Sequence, residues 1–122
     1  LRACAVQDGR LLAVGDSGSA WVLDPDGSVA QEAVPGAPDL EAVVFTAGGT
    51  AWAAGNGRLL RRDPDGRWMS VPYGSPDPIR ALALQVDGSV LGVGDRGLVV
   101  RIAGDSARPR AVGPPVPGLP RR

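Results

Sequence analysis

A serine flanked by glycines and a carboxylate stands early in the chain, in Gly15-Asp16-Ser17-Gly18. A serine hydroxyl becomes a nucleophile when an imidazole takes its proton and a carboxylate orients that imidazole. The 122 residues include no histidine. The same place further on reads Gly55-Asn56-Gly57 and then Gly94-Asp95-Arg96-Gly97, with no serine. Gly, Asp and Asn are what a tight turn demands, so all three segments are read as turns. No imidazole is available as general base, metal ligand or pH switch. The residues therefore lead to the expectation of no enzyme activity and no cofactor.

Two further groups of residues could hold a ligand. Asp24-Pro25-Asp26-Gly27 and Asp63-Pro64-Asp65-Gly66 are identical and acidic. Calcium takes six to eight oxygen ligands, and each loop offers two carboxylates. Pro at the second place and Gly at the fourth instead fit a type I turn, so no metal is expected there. The single Cys4 excludes a cysteine zinc site and an intrachain disulfide framework. Arg58, Arg61, Arg62 and Arg67 are the densest basic cluster. Arg61 and Arg62 face opposite ways on a strand, and with Asp63 and Asp65 alongside they are read as a solvated, charge-balanced face. Trp21, Trp52 and Trp68 fall at different places of the repeat and are read as packing residues.

The totals bound the partners. Thirteen basic residues, all Arg, balance thirteen acidic ones. There is no basic excess to neutralise a phosphate backbone, so nucleic acid is not an expected partner. No apolar run approaches the ~18 residues that would span a bilayer. Apolar residues make up 43% and aromatics 4%, which predicts a core of Val, Leu and Ala. Eighteen Gly and twelve Pro recur at regular intervals, the mark of many turns.

That regularity is an internal repeat. Leu1-Arg2-Ala3-Cys4-Ala5-Val6, Leu40-Glu41-Ala42-Val43-Val44-Phe45 and Ile79-Arg80-Ala81-Leu82-Ala83-Leu84 start 39 residues apart (40 − 1 and 79 − 40). Each is followed by a Gly-containing pair, a second apolar run ending at Gly15, Gly55 or Gly94, the shared turn, and a third run. Short runs divided by two to four turn residues predict antiparallel hairpins. The fold class is all-β, with three four-stranded repeats at residues 1–39, 40–78 and 79–112. Residues 113–122 are Pro-rich and read as a tail or linker.

The run from Ile79 to Gly97 resembles a blade of the WD40-like or photosystem-assembly-factor-like β-propeller families, and the resemblance extends over all three repeats. It implies blades of a ring that usually holds four to eight. Three blades leave two open edges, so the implied partners are a second copy completing the ring, or further blades of a longer chain. A β-trefoil is the alternative fold. The resemblance also implies that the turns after the second strands share one face with the crossings between blades. That face would carry Asp16, Ser17, Asn56, Tyr73, Asp95 and Arg96. The expected function is a non-catalytic scaffold that binds a protein partner there; carbohydrate binding by a lectin-like propeller or trefoil is the alternative.

Overall fold

The computed structural model describes residues 1–104 and 106–109; the end of the third repeat and the Pro-rich tail lie outside the described residues. Among the described residues, twelve strands form three four-stranded antiparallel sheets, each a meander of consecutive strands. Blade 1 holds β1 (Ala3–Gln7), β2 (Arg10–Val14), β3 (Ser19–Leu23) and β4 (Val29–Ala33). Blade 2 holds β5 (Ala42–Phe45), β6 (Ala51–Gly55), β7 (Arg58–Arg62) and β8 (Trp68–Ser70). Blade 3 holds β9 (Ile79–Leu84), β10 (Val90–Gly94), β11 (Val99–Ala103) and β12 (Ser106–Pro109). Three separate sheets are propeller blades and not the single closed barrel of a trefoil. Among the described residues no helix is long and apolar enough to cross a membrane.

Alternation along the strands sorts side chains into two faces per blade. In blade 1, Leu12 lies opposite Val22 and Val14 opposite Ala20. This face packs with Ala51, Ala53 and Leu60 of blade 2 and with Leu40 and Phe45. The other face of blade 2, with Trp52, Ala54 and Leu59, packs with Ile79, Val90, Val100 and Ile102 of blade 3. Blade 2 is thus covered on both sides, which is why all five residues of β6 are buried. Burying an aliphatic side chain of this size contributes about 1.5–3 kcal/mol.

The Arg cluster is a solvated face only at Arg58 and Arg67, which are exposed; Arg61 and Arg62 are drawn into the structure. Arg62 is 4% exposed. Its Nε and NH2 donate to the two carboxylate oxygens of Glu32 on β4, both at 2.6 Å. Trp68 Nε1 donates to the same carboxylate at 2.8 Å. The cluster therefore contributes a forked ion pair that clasps blade 1 to blade 2. Its partner lies 30 residues away on another sheet, beyond the reach of any local pattern. Arg61 is half-buried and pairs with Asp63. Trp52 and Trp68 are core residues, whereas Trp21 is 38% exposed on the uncovered face of blade 1.

The acidic hairpins form as expected of type I turns. Gly27 N–H donates to Asp24 O and Gly66 N–H to Asp63 O, each at 2.9 Å. Asp26 accepts from the amide and hydroxyl of Ser28 at 2.9 and 2.6 Å, so its carboxylate caps its own turn.

Candidate binding face at the inner-strand starts

The first strand of each blade starts beside the turn that joins its second and third strands. Gly15, Gly55 and Gly94 mark that meeting. Gly15 and Gly94 have extended backbone, with φ of −170° and −151°, so a left-handed conformation is not why glycine stands there. Close approach is the reason. A Cβ on Gly55 would sit 2.1 Å from the Asp39 carbonyl oxygen, and one on Gly94 2.0 Å from that of Pro78. The crossing from blade 1 is also stitched to the turn: Leu40 N–H donates to Gly15 O at 2.9 Å and Gly18 N–H to Pro38 O at 2.7 Å.

One charged residue heads each first strand: Arg2, Glu41 and Arg80, spaced by 39 (41 − 2 and 80 − 41). Arg2 pairs with Asp16. Arg80 grips Asp95 through Nε and NH2, each at 3.2 Å, and reaches Glu41 of the neighbouring blade at 3.4 Å. Hydrogen bonding from Arg2 holds the Asp16 carboxyl below its ordinary value. Hydrogen bonding from Arg80 does the same for Asp95. Blade 2 reverses the sign, with Glu41 heading the strand and Asn56 in the turn. A cleft of about 260 Å³ opens here, lined by Arg2, Asp39, Glu41, Asn56, Gly57, Pro78 and Arg80.

Five of the six residues expected on this face lie at it. Asp16 is held by Arg2. Ser17, at φ 56°, donates its amide to Asp39 Oδ1 at 2.7 Å. Asn56, at φ 51°, and Gly57 form a two-residue turn and line the cleft. Asp95 meets Arg80, and Arg96 at φ 58° lies 3.6 Å from Asp77. Tyr73 is the exception. It is 4% exposed, belongs to the core between blades 2 and 3, and donates its hydroxyl to Asp77 O at 2.8 Å. Burial raises the pKa of its phenol, with the Asp77 charge adding to the effect. The ring is consumed in packing, so it pins a crossing and offers no contact surface.

Sequence reasoning passed over Arg2, Asp39, Glu41 and Arg80. The signal was present in the aligned repeats, where one column reads Arg, Glu, Arg ahead of each apolar run. Chemically the cleft joins guanidinium donors to carboxylate acceptors. Arginine stays protonated at any ordinary pH, so these groups bind and orient rather than shuttle protons.

No protein-family profile matches this chain, and no curated protein matches it in sequence. Solved structures do match in fold. A streptogramin B lyase superimposes with a TM-score of 0.74 at 14% identity, over 86% of this chain and 38% of that one. A structure of YCF48 bound to D1 peptide gives 0.70 at 16%, over 88% and 38%. The Pan2 WD40 domain of Neurospora crassa gives 0.63 at 18%, over 88% and 35%. The chain therefore spans under two fifths of the length of these proteins. The expectation of no enzyme activity is corrected by the first match, because the same blade architecture serves a lyase. At 14% identity over 38% of that protein, the likeness assigns no reaction to this chain. The likeness establishes the blade fold of a β-propeller.

Proposed function

We propose that this chain is an arc of a β-propeller that holds an extended segment of a protein partner across the starts of its inner strands. The observation that carries the reading is the alternation of Arg2, Glu41 and Arg80 around one open cleft. An extended peptide presents carbonyl acceptors and amide donors in alternation, and this row offers donors and acceptors in the same way. Both guanidiniums remain about half exposed, so they keep donors for a ligand. A structure of YCF48, which shares this blade fold, bound to D1 peptide supports the choice of a peptide ligand.

The test is selection of a phage-displayed random dodecapeptide library on the immobilised chain, followed by titration of the enriched peptides. Arg80→Ala should weaken binding at least about tenfold, as expected for lost charge-assisted hydrogen bonds of about 1.5–3 kcal/mol. Arg67→Ala, exposed at the opposite end of blade 2, should leave binding unchanged. Equal affinity for both variants, or no enrichment, would overturn the reading.

A further inference from the structure

The cleft at the inner-strand starts does not stop at Asn56 and Gly57. Gly57 also lines a second cleft of about 330 Å³, which runs along blade 2 past Arg58, Ser70, Pro72, Tyr73 and Ser75. Both clefts lie at the same end of the blade. β7 starts at Arg58 straight after the turn, and β8, antiparallel to it, ends at Ser70. A Cβ on Gly57 would meet nothing within 4 Å, so the way over this turn from one cleft to the other is open.

Arg58 is the charged group of the second cleft. Arg2, Arg10, Arg62 and Arg80 each hold a carboxylate. Among the described residues the Arg58 guanidinium has no hydrogen bond and no ion pair. Arg67 and Arg108 share that state but line neither cleft. The Arg58 group is nonetheless seated. It lies on Gly36 of the crossing from blade 1, where a Cβ would sit 2.7 Å from its Nη1 and 3.1 Å from its Cζ. The neighbouring polar groups of the crossing are engaged with one another. Tyr73 donates its hydroxyl to Asp77 O at 2.8 Å, and Ser75 Oγ accepts from the Asp77 amide at 3.1 Å. The described lining of this cleft includes no carboxylate. A guanidinium has five donors and no acceptor, and its planar fork matches a carboxylate.

We infer that the second cleft takes an acidic side chain, Asp or Glu, of the same peptide segment that crosses the inner-strand starts, with Arg58 as its partner. The inference rests on the peptide reading above and adds a sequence preference to it. The first cleft is balanced, with Arg2 and Arg80 against Asp39 and Glu41, and suits backbone groups of any sequence. Arg58 is unbalanced and therefore selects. The cleft continues past Arg58 to Gly74 and Ser75. The segment need not end at Arg58, so a side chain and not a chain terminus supplies the carboxylate.

Dodecapeptide selection run in parallel on the chain and on Arg58→Gln tests this. Arg58→Gln keeps the stem beside Gly36 and removes the charge at an exposed position, and circular dichroism should show an unchanged fold. Peptides enriched on the wild-type chain should carry Asp or Glu at one fixed place, and those enriched on Arg58→Gln should lack that preference. Changing the acid to its amide should weaken binding to the wild-type chain about fivefold, as for a partly exposed ion pair, and leave binding to Arg58→Gln unchanged. Amidating the peptide C-terminus should alter neither affinity. The same acid preference on both chains, an amide that binds as well as the acid, or a loss on C-terminal amidation would overturn the inference and leave the peptide reading standing. No enrichment on either chain would overturn the peptide reading, and the acid preference with it.

Discussion

The two ends of the blades use the same residue types and connect them differently. At the end where Arg2, Glu41 and Arg80 stand, polar groups reach across blades. Arg80 bridges to Glu41, Ser17 binds Asp39, and the Gly15 and Gly18 backbone holds Leu40 and Pro38. At the opposite end most turns close on themselves. Asp26 accepts from Ser28, Asp87 accepts from Ser89, and Gly88 N–H donates to Gln85 O. One bond there does cross, from Gln7 Nε2 to Thr46 O at 2.6 Å. Self-capped turns need no neighbour; a cleft of about 430 Å³ opens among them, lined by Gln7, Asp8, Arg10, Pro25, Gly49 and Pro64. Groups shared between blades tie the arc together and leave donors and acceptors converging between its strands.

Between the two ends runs the Glu32–Arg62–Trp68 clasp, and breaking it should have the largest effect. Arg62→Ala leaves the Glu32 carboxylate without its forked partner at a buried joint. Loss of one member of a buried ion pair costs about 3–5 kcal/mol, read as a lower urea midpoint. Next comes a matched pair of glycine substitutions. Gly55→Ala drives a Cβ into the Asp39 backbone and should cost about 3 kcal/mol, the upper part of the usual overpacking range. Gly88→Ala at the opposite end meets nothing within 4 Å and only suffers its φ of +88°, about 1–2 kcal/mol. Equal costs would show that the close approach at Gly55 is relieved without strain. Tyr73→Phe removes one hydrogen bond to Asp77 O and should cost about 1 kcal/mol, leaving peptide affinity unchanged because the ring is buried.

The smallest effect separates the ends by charge. Asp16 and Asp95 are held low by guanidinium hydrogen bonds. Asp26 is held low by the Ser28 hydroxyl and amide. A lowered folded pKa means stability that is present above the ordinary carboxylate value of 3.8 and is lost as pH falls through the lowered value. All three should therefore weaken the fold in acid. Salt screens the exposed arginine pairs and not a serine cap. Carboxyl titration by NMR should show the Asp16 and Asp95 values rising with added salt, with Asp26 unmoved.

The blade plan was legible because a period of 39 residues repeats three times, each copy with its glycine at the same approach. The individual joints were not. Arg61 and Arg62 alternate on a strand, but which of them meets a neighbour depends on Glu32, a residue of another sheet. Tyr73 sits among Pro, Gly and Ser and reads as an exposed loop residue; only the packing of Ile79 and Val90 shows that the loop folds inward. The cleft was legible in part. Its turns were found by their glycines, whereas Arg2, Glu41 and Arg80 differ in charge within one column and read as ordinary strand-edge charges. Their convergence is a property of how blades stand side by side.

The measurement that tests the account most directly is amide chemical-shift mapping of the chain with an enriched peptide. The account predicts shifts at Ser17, Glu41, Asn56, Gly57 and Arg80, with none at the Asp24–Gly27 and Asp63–Gly66 turns. Shifts confined to those self-capped turns, with the inner-strand starts unmoved, would contradict it.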